Sequence, residues 1–159
     1  MIFVTSLNDY DLLMSEDDVT NRMVDSINLF SQIVNSPWFI DKPVLLFLNK
    51  RDLFEEKVKR TKISSISHFR DAGPIDSYEA GVDYFTKKFM NVVGNGNGED
   101  GGESKTMNGS GGNSGNNDGG MGDFFCKPTC ATDSDNIEFV MQSVKEFVLY
   151  GNMEDADMF

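Results

Sequence analysis

Asn49, Lys50 and Asp52 directly follow an apolar run at residues 44–48. An aspartate in such a loop can accept paired hydrogen bonds from the N1–H and the exocyclic amine of guanine, whereas adenine offers no matching pair of donors. Lys50 can lay its methylene stem along the base or ribose while its ammonium stays in water. The Asn49 amide can hold the loop to its neighbours and reach the far edge of the base. The pattern predicts a guanine-reading loop, and the alternative is a strand that ends in an ordinary charged turn.

The apolar run predicts the element that carries this loop. Pro43 precedes the run and polar residues follow it at once, so it is too short for a typical helix and fits a parallel strand buried on both faces. Ligands of open parallel sheets bind beyond the carboxyl ends of the strands. Asn49 lies at that end of the predicted strand.

The bulk composition limits the classes of function. The chain has 159 residues, which suits one domain, and its net charge of -12 argues against a nucleic-acid or anionic-membrane surface. No apolar stretch approaches the roughly 20 residues of a membrane span. The start lacks the features of a signal peptide, and Ile2 does not allow N-myristoylation. We therefore expect a cytoplasmic protein with no lipid anchor in this chain.

The two cysteines do not predict a metal centre. Cys126 and Cys130 have C-x-x-x-C spacing with no second pair, and His68, the only histidine, is far away in sequence. A zinc site is therefore not expected. Reduced thiols fit an intracellular chain better than a disulfide does.

The first half of the chain predicts strands that alternate with helices. Residues 2–4 form a short apolar run typical of a strand, and Ser15 or Thr20 can cap the helix that follows. The apolar residues of that helix recur at the helical period and are Met23, Ile27, Phe30 and Val34. Residues 54–58 predict a short helical turn, and the basic stretch after them predicts a solvated face, with an anionic partner as the alternative.

A second amphipathic helix is predicted over residues 76–93, although Gly81 costs it about 1 kcal/mol relative to alanine. Residues 94–122 then hold most of the chain's 15 glycines with few large apolar residues, so we expect this segment to be disordered. Its glycines suggest a phosphate-binding loop. However, the chain contains no Gly-Lys step, so that motif is absent.

The chain after this segment predicts one more strand and one more helix. Residues 124–126 predict a strand. Pro128, which lacks an N–H, predicts that this strand lies at a sheet edge. Ser134 or Asp135 can cap the last helix, and Gly151 stands where a C-terminal cap belongs. The final residues, Met158 and Phe159, follow an acidic stretch. They can be a frayed end or an anchor for a partner.

Thr129, Cys130, Ala131 and Thr132 lie between the last strand and the last helix, where the Ala131 N–H could donate to the guanine O6. Taken with Asp52, these residues make the chain resemble the alpha subunits of heterotrimeric G proteins. Five segments carry the resemblance in order: 6–11, 21–23, 38–39, 46–57 and 129–133.

The resemblance implies roles for particular residues. Asn49, Lys50 and Asp52 match the family's guanine-specificity motif. The second base-contact loop of the family is matched by Cys130, Ala131 and Thr132. GTP and GDP are the implied ligands, with magnesium in the intact family domain.

The resemblance also implies partners. The last helix, with Met158 and Phe159, matches the element that faces an activated seven-helix receptor, and residues 35–39 match an effector-contacting surface. A G-protein beta-gamma dimer is a further family partner, although its main contact surfaces are missing here. The implied location is the cytoplasm, at the inner face of the plasma membrane when in complex. Ala156 replaces the cysteine that pertussis toxin modifies in some family members, so that modification is not expected.

The family's phosphate loop, magnesium ligands, catalytic glutamine and arginine, and D-x-x-G turn are absent, so no catalytic or metal residue is assigned. The expected fold is α/β, a partial Ras-like P-loop NTPase sheet of about three parallel strands with flanking helices. We expect one part at residues 1–93, the disordered insertion at 94–122, and the last strand, base loop and receptor-facing helix at 123–159.

The resemblance and the missing motifs together predict two alternative functions. The first is a GTP- and GDP-binding transducer in G-protein-coupled receptor signalling. The alternative is a non-catalytic fragment that binds a receptor or effector without hydrolysing GTP. In either case the isolated chain should show little GTPase activity.

Overall fold

The computed structural model describes residues 1–40, 42–93 and 124–156. The strands are β1 (Ile2–Ser6), β2 (Val44–Asn49) and β3 (Phe124–Pro128), and the α-helices are α1 (Arg22–Val34), α2 (Arg51–Arg60), α3 (Tyr78–Asn91) and α4 (Ser134–Ala156). Both strand pairings are parallel, in the order β1-β2-β3. The predicted parallel α/β architecture is confirmed. Within these ranges no helix has the length and apolar character needed to cross a membrane.

Two predictions lie outside the described residues. The segment at 94–122, expected to be disordered, is one of them, and the tail anchor formed by Met158 and Phe159 is the other.

The central strand β2 is buried on both faces. All five side chains from Val44 to Leu48 are at most 5% exposed, as the apolar run predicts. Because side chains alternate along a strand, Val44, Leu46 and Leu48 face the main core, and Leu45 and Phe47 face the opposite side of the sheet. The strand that delivers Asn49 is therefore fixed by packing on both sides.

Aromatic rings fill the main core beneath the helices. Phe54 of α2 meets the rings of Tyr10 and Phe85 edge-on at 5.7 and 6.1 Å. Phe30 of α1 meets Phe89 of α3 at 5.3 Å in the same manner. Edge-to-face pairs at these distances stabilise a core beyond the burial of their area. This packing joins α2 to α3 and α1 to α3 on one face of the sheet.

The two outer strands, β1 and β3, form the edges of the described sheet. Pro128 ends β3 opposite Leu48, and β3 pairs only with β2 in the described sheet, so the predicted edge position is confirmed. At the other edge, β1 leaves Ile2 and Val4 44% and 58% exposed. The described part of the chain therefore has an open, apolar sheet edge at β1.

The cap of α1 corrects the sequence prediction. Asn21 caps the helix, not Ser15 or Thr20, by accepting from the N–H groups of Met23 and Val24 at 3.0 and 3.1 Å. Its amide nitrogen also donates to the backbone oxygen of Tyr10 at 2.7 Å, which a serine or threonine side chain would not provide. This second bond connects the helix to the loop after β1.

The bounds of the later helices also differ from the sequence predictions. Helix α2 is not a short turn but begins at Arg51, and α4 continues through Gly151, which is therefore not a C-terminal cap. The cap of α4 is Asp133, one residue before the predicted Ser134 or Asp135. Its Oδ1 accepts from the N–H groups of residues 135 and 136 at 3.1 and 3.4 Å.

Candidate functional site

The first loop (residues 49–52) joins β2 to α2 through a single residue. Lys50 has φ 60° and ψ 40°, the left-handed region that costs a non-glycine residue about 1–2 kcal/mol. The Asn49 Oδ1 accepts from the Lys50 N–H at 2.8 Å and so supports this turn. The abrupt change of direction places Asp52 in the first turn of α2, where its negative charge also suits the helix dipole.

Asp52 is exposed at the start of α2. Its side chain is exposed and makes no hydrogen bond or ion pair within the described part of the chain. Lys50 is also exposed, with its Nζ 3.8 Å from the Oδ1 of Asp9 in the turn after β1. The carboxylate therefore has both oxygens available as acceptors, and Lys50 precedes it by two residues in the sequence.

The second loop (residues 129–133) lies against the first. The Thr129 N–H donates to the backbone oxygen of Leu48 at 2.8 Å, and the Arg51 N–H donates back to the oxygen of Thr129 at 3.1 Å. These bonds continue the β2–β3 ladder past the end of both strands. Asn49 and the second loop therefore meet at the carboxyl edge of the sheet, where ligands of such sheets bind.

Beyond Thr129 the second loop forms a turn. The Asp133 N–H reaches the oxygen of Cys130 at 3.4 Å, and the Cys130 N–H donates to the Oδ1 of the buried Asn136 at 2.7 Å. Ala131 and Thr132 form the exposed corner, and the Ala131 N–H has no partner within the described residues. A backbone donor is thus available in the exposed corner of the second loop.

A side-chain bridge connects the two loops. The Nη2 of Arg51 donates to the Oδ2 of Asp133 at 3.1 Å, and both side chains are about 40% exposed. Asp133 uses its other oxygen to cap α4. One carboxylate of the second loop therefore contacts both the first loop and the start of the last helix.

A second set of contacts supports the first loop from the side of β1. The Nζ of Lys57, further along α2, donates to the oxygen of Asn8 at 2.8 Å and to the Oδ1 of Asp11 at 2.7 Å. It lies over the ring of Tyr10, whose hydroxyl donates to the oxygen of Thr61 at 2.6 Å. These half-buried contacts hold α2 against the turn that follows β1.

An apolar cavity of about 160 Å³ lies beneath both loops, between the sheet and α4. Its lining includes Asn49, Cys130 and Ala131 from the loops and Val4, Phe47 and Val140 from the sheet and helix.

The structure brings together all six base-contact residues predicted from the sequence. Asn49, Lys50 and Asp52 lie in the first loop; Cys130, Ala131 and Thr132 lie in the second. Cys130 is buried beneath its loop, and its Sγ lies 3.1 Å from the Oγ1 of Thr132. Of the three predicted residues in the second loop, Ala131 and Thr132 are exposed and Cys130 is not.

The cysteines behave as two separate free thiols. Burial raises the pKa of the Cys126 thiol, which lies 3.5 Å from the Oγ1 of Thr86 on α3. Among the described residues, no group of three or more histidine, cysteine or acidic side chains could hold a metal ion.

Sequence reasoning did not find Arg51, Asp133, Asn136 or Lys57. Arg51 occupies the variable position of the N-K-x-D pattern, and its partner is 82 residues away. Asp133 carried a local signal, because aspartate followed by polar residues before an apolar stripe is typical of a helix cap. The sequence prediction assigned the cap to Ser134 or Asp135 instead, because both are also good capping residues.

The chain matches known proteins along most of its length. The sequence model of the G-protein alpha subunit family matches residues 1–148. The guanine nucleotide-binding protein alpha-3 subunit of Caenorhabditis briggsae is 33% identical over 100% of this chain and 38% of its own length. The alpha-3 subunit of Caenorhabditis elegans is 34% identical over 99% of this chain and 37% of its own length.

The alpha-7 subunit of Dictyostelium discoideum is 37% identical over 98% of this chain and 33% of its own length. The chain thus spans less than two fifths of each of these relatives. Its three parallel strands and flanking helices fit part of a Ras-like α/β fold. With the match over residues 1–148, these findings show that the chain belongs to the G-protein alpha subunit family.

Proposed function

We propose that the two loops form the guanine subsite of a GTP- and GDP-binding transducer in G-protein-coupled receptor signalling. The observation that carries the proposal is the pair of backbone hydrogen bonds that fixes Thr129 against Leu48 and Arg51. These bonds support the proposal because they join the loop that carries the exposed Asp52 to the loop that carries the exposed Ala131.

The chemistry of this pair suits guanine. The carboxylate of Asp52 accepts from the N1–H and the 2-amino group, and the Ala131 N–H donates to O6. Adenine presents an amine where guanine has O6, so it would set a donor against a donor. The methylene stem of Lys50 covers a face of the base while its ammonium remains hydrated.

The phosphate and magnesium sites do not fit the residues of this chain. Its sequence has no Gly-Lys step, and no described cluster of acidic residues suits a metal. Nucleotide affinity in this family depends on a phosphate loop that the spanned portion lacks. We therefore assign base selection, and no step of hydrolysis, to the residues of this chain.

Two surfaces of the chain are proposed to contact partners. Helix α4 and the tail residues Met158 and Phe159 are proposed to face a seven-helix receptor, at the cytoplasmic side of the plasma membrane. The end of α1 is proposed to face an effector, and Trp38, 85% exposed there, gives that surface a large apolar contact residue. A beta-gamma dimer is a further proposed partner of the longer family domain.

The test is a switch of base preference. Protein expressed from the complete reading frame should bind fluorescent GDP, with displacement by GDP and not by ADP. In Asp52→Asn the side chain presents one donor and one acceptor, which fits the 2-oxo group and N1–H of xanthine. We expect that variant to lose GDP affinity by at least about tenfold, roughly 1.4 kcal/mol, and to gain affinity for xanthosine diphosphate.

Glu55→Gln is the matched control, because it neutralises an exposed carboxylate on the same helix. It should leave both affinities unchanged. Equal displacement by GDP and ADP, or an unchanged base preference in Asp52→Asn, would contradict the proposed subsite.

A further inference from the structure

We infer that Arg51 and Asp133 are positioning residues that set the distance between the two base-reading loops. This inference rests on the proposed guanine subsite. It assigns a role to the variable residue of the N-K-x-D pattern and to the cap of α4. Neither residue touches the base in this scheme, and both act through Ala131.

The backbone connection between the loops ends at Thr129. Up to that residue, hydrogen bonds to Leu48 and Arg51 hold the second loop against the first. Cys130 then turns away and its N–H bonds to Asn136 on α4. The corner that carries Ala131 would therefore follow α4 alone if nothing connected its far side to α2.

The Arg51–Asp133 bridge supplies that connection. It is the one side-chain hydrogen bond between the two loops among the described residues. Ala131 thus lies between two attachments, the Cys130 N–H on Asn136 and Asp133 on the guanidinium of Arg51. Because Arg51 is adjacent to Asp52, the bridge relates the donor at one edge of the base to the acceptor at the other.

Asp133 can perform two tasks that substitution separates. Its Oδ1 caps α4 and its Oδ2 receives Arg51. Asp133→Asn retains a capping oxygen, since asparagine is as good a cap as aspartate, but presents an amide without charge to Arg51. Arg51→Ala removes the bridge and leaves the cap untouched. Both variants should therefore show the same defect in base reading, although both keep the cap of α4.

The experiment compares guanine analogues on protein expressed from the complete reading frame. The ratio of 6-thio-GDP to GDP dissociation constants reports the contact to O6, because sulfur is the weaker acceptor. The ratio of inosine diphosphate to GDP reports the 2-amino contact of Asp52. In Arg51→Ala and Asp133→Asn we expect the ratio of 6-thio-GDP to GDP dissociation constants to fall by about two- to fivefold, the range of an exposed ion pair. The ratio of inosine diphosphate to GDP dissociation constants should stay unchanged.

Rescue and control variants separate positioning from general stability. Arg51→Lys keeps a charge within reach of Asp133 and should restore part of the 6-thio-GDP discrimination. Arg60→Ala removes an exposed ion pair with Glu56 at the far end of the same helix and should change neither ratio. If Arg51→Ala weakens GDP and 6-thio-GDP equally, the positioning role is overturned.

A nucleotide-free measurement keeps this result separate from the proposed function. Amide hydrogen exchange of Cys130 and Asp133 should accelerate about two- to fivefold in Arg51→Ala, while core amides of β2 keep their wild-type rates. If the wild-type protein binds no nucleotide, the subsite proposal fails, and this local acceleration still supports the bridge. Unchanged exchange, or acceleration throughout the chain, overturns it.

Discussion

Lys50 combines a strained backbone with an exposed side chain at the residue scale. Its φ of 60° lets α2 begin one residue after β2 ends. Asn49 and Asp9 both contact it, through a backbone hydrogen bond and a long ion pair. A residue with this conformation is retained where its side chain or its direction of turn is needed.

Substitutions at Lys50 should separate these two needs. Lys50→Gly relieves the strain but gives up chain stiffness, so the free energy of unfolding should stay within about 1 kcal/mol of wild type. Lys50→Val places a β-branched residue at positive φ and should lower it by about 1–2 kcal/mol. Urea unfolding measures both. Lys59→Val, on ordinary helical backbone, is the control, and an equal loss at both lysines would contradict this account.

The bridge and caps show why part of the site escapes sequence reasoning. The run 44–48 and its polar end are local features, so β2 and the positions of Asn49 and Asp52 directly after it could be predicted. Asn21 and Thr20 are both good helix caps by type, and the bond from Asn21 to Tyr10 that decides between them is tertiary. Arg51 and Asp133 meet only after β3 has joined the sheet.

Packing between α2 and α3 determines how the first loop is held at the element scale. Gly81 of α3 faces the ring of Phe54, two residues after Asp52. A Cβ built on Gly81 would lie 2.7 Å from the Cζ of Phe54 and 3.3 Å from the Cδ1 of Ile63. The glycine that weakens α3 by propensity is thus required for the close approach of the two helices.

Gly81→Ala should therefore destabilise the protein despite its better helix propensity. The gain of about 1 kcal/mol in propensity is offset by about 1–3 kcal/mol of overpacking against a fully buried ring. The expected net loss reaches about 2 kcal/mol in urea unfolding, with a change in the amide spectrum of Asp52. Ala80→Gly, at an exposed position of the same helix, should cost about 1 kcal/mol without that spectral change. A more stable Gly81→Ala would show that the helices can separate freely.

At the scale of the whole chain, two partly buried tyrosines make the stability of the fold depend on pH. Burial, with the charge of Asp11, raises the pKa of Tyr10, and burial, with the hydrogen bond to Asp71, raises the pKa of Tyr84. Between the unfolded tyrosine pKa of about 10 and the higher folded value, the folded state holds more protons. Stability must therefore fall as pH rises above about 10.

Urea midpoints measured from pH 8 to pH 11 check this expectation, with phenolate absorbance followed in parallel. The midpoint should be flat below about pH 9 with respect to these groups and fall beyond pH 10. Tyr84→Phe removes one of the two groups and should reduce the slope. A midpoint that rises above pH 10 would contradict the raised pKa values.

In the described sheet β1 pairs only with β2. This open edge predicts association of the 159-residue polypeptide when it is produced alone. Val4→Lys places a charge on the exposed edge strand and should shift the protein towards monomer in light scattering. Val19→Lys makes the same change in charge at a 74% exposed position away from the sheet and serves as the control. Equal effects of both variants would assign the association to net charge alone.

The sheet order has a consequence for synthesis on the ribosome. Strand order follows chain order, so each strand after the first has its pairing partner already made when it emerges. Cys130 and its turn follow β3, and α4, which supplies Asn136, comes later still. The edge that carries the proposed guanine subsite is therefore the last part of this sheet that a growing chain can complete. A ribosome stalled before Asn136 would display β2 and Asp52 while the second loop still lacked its hydrogen bond to α4.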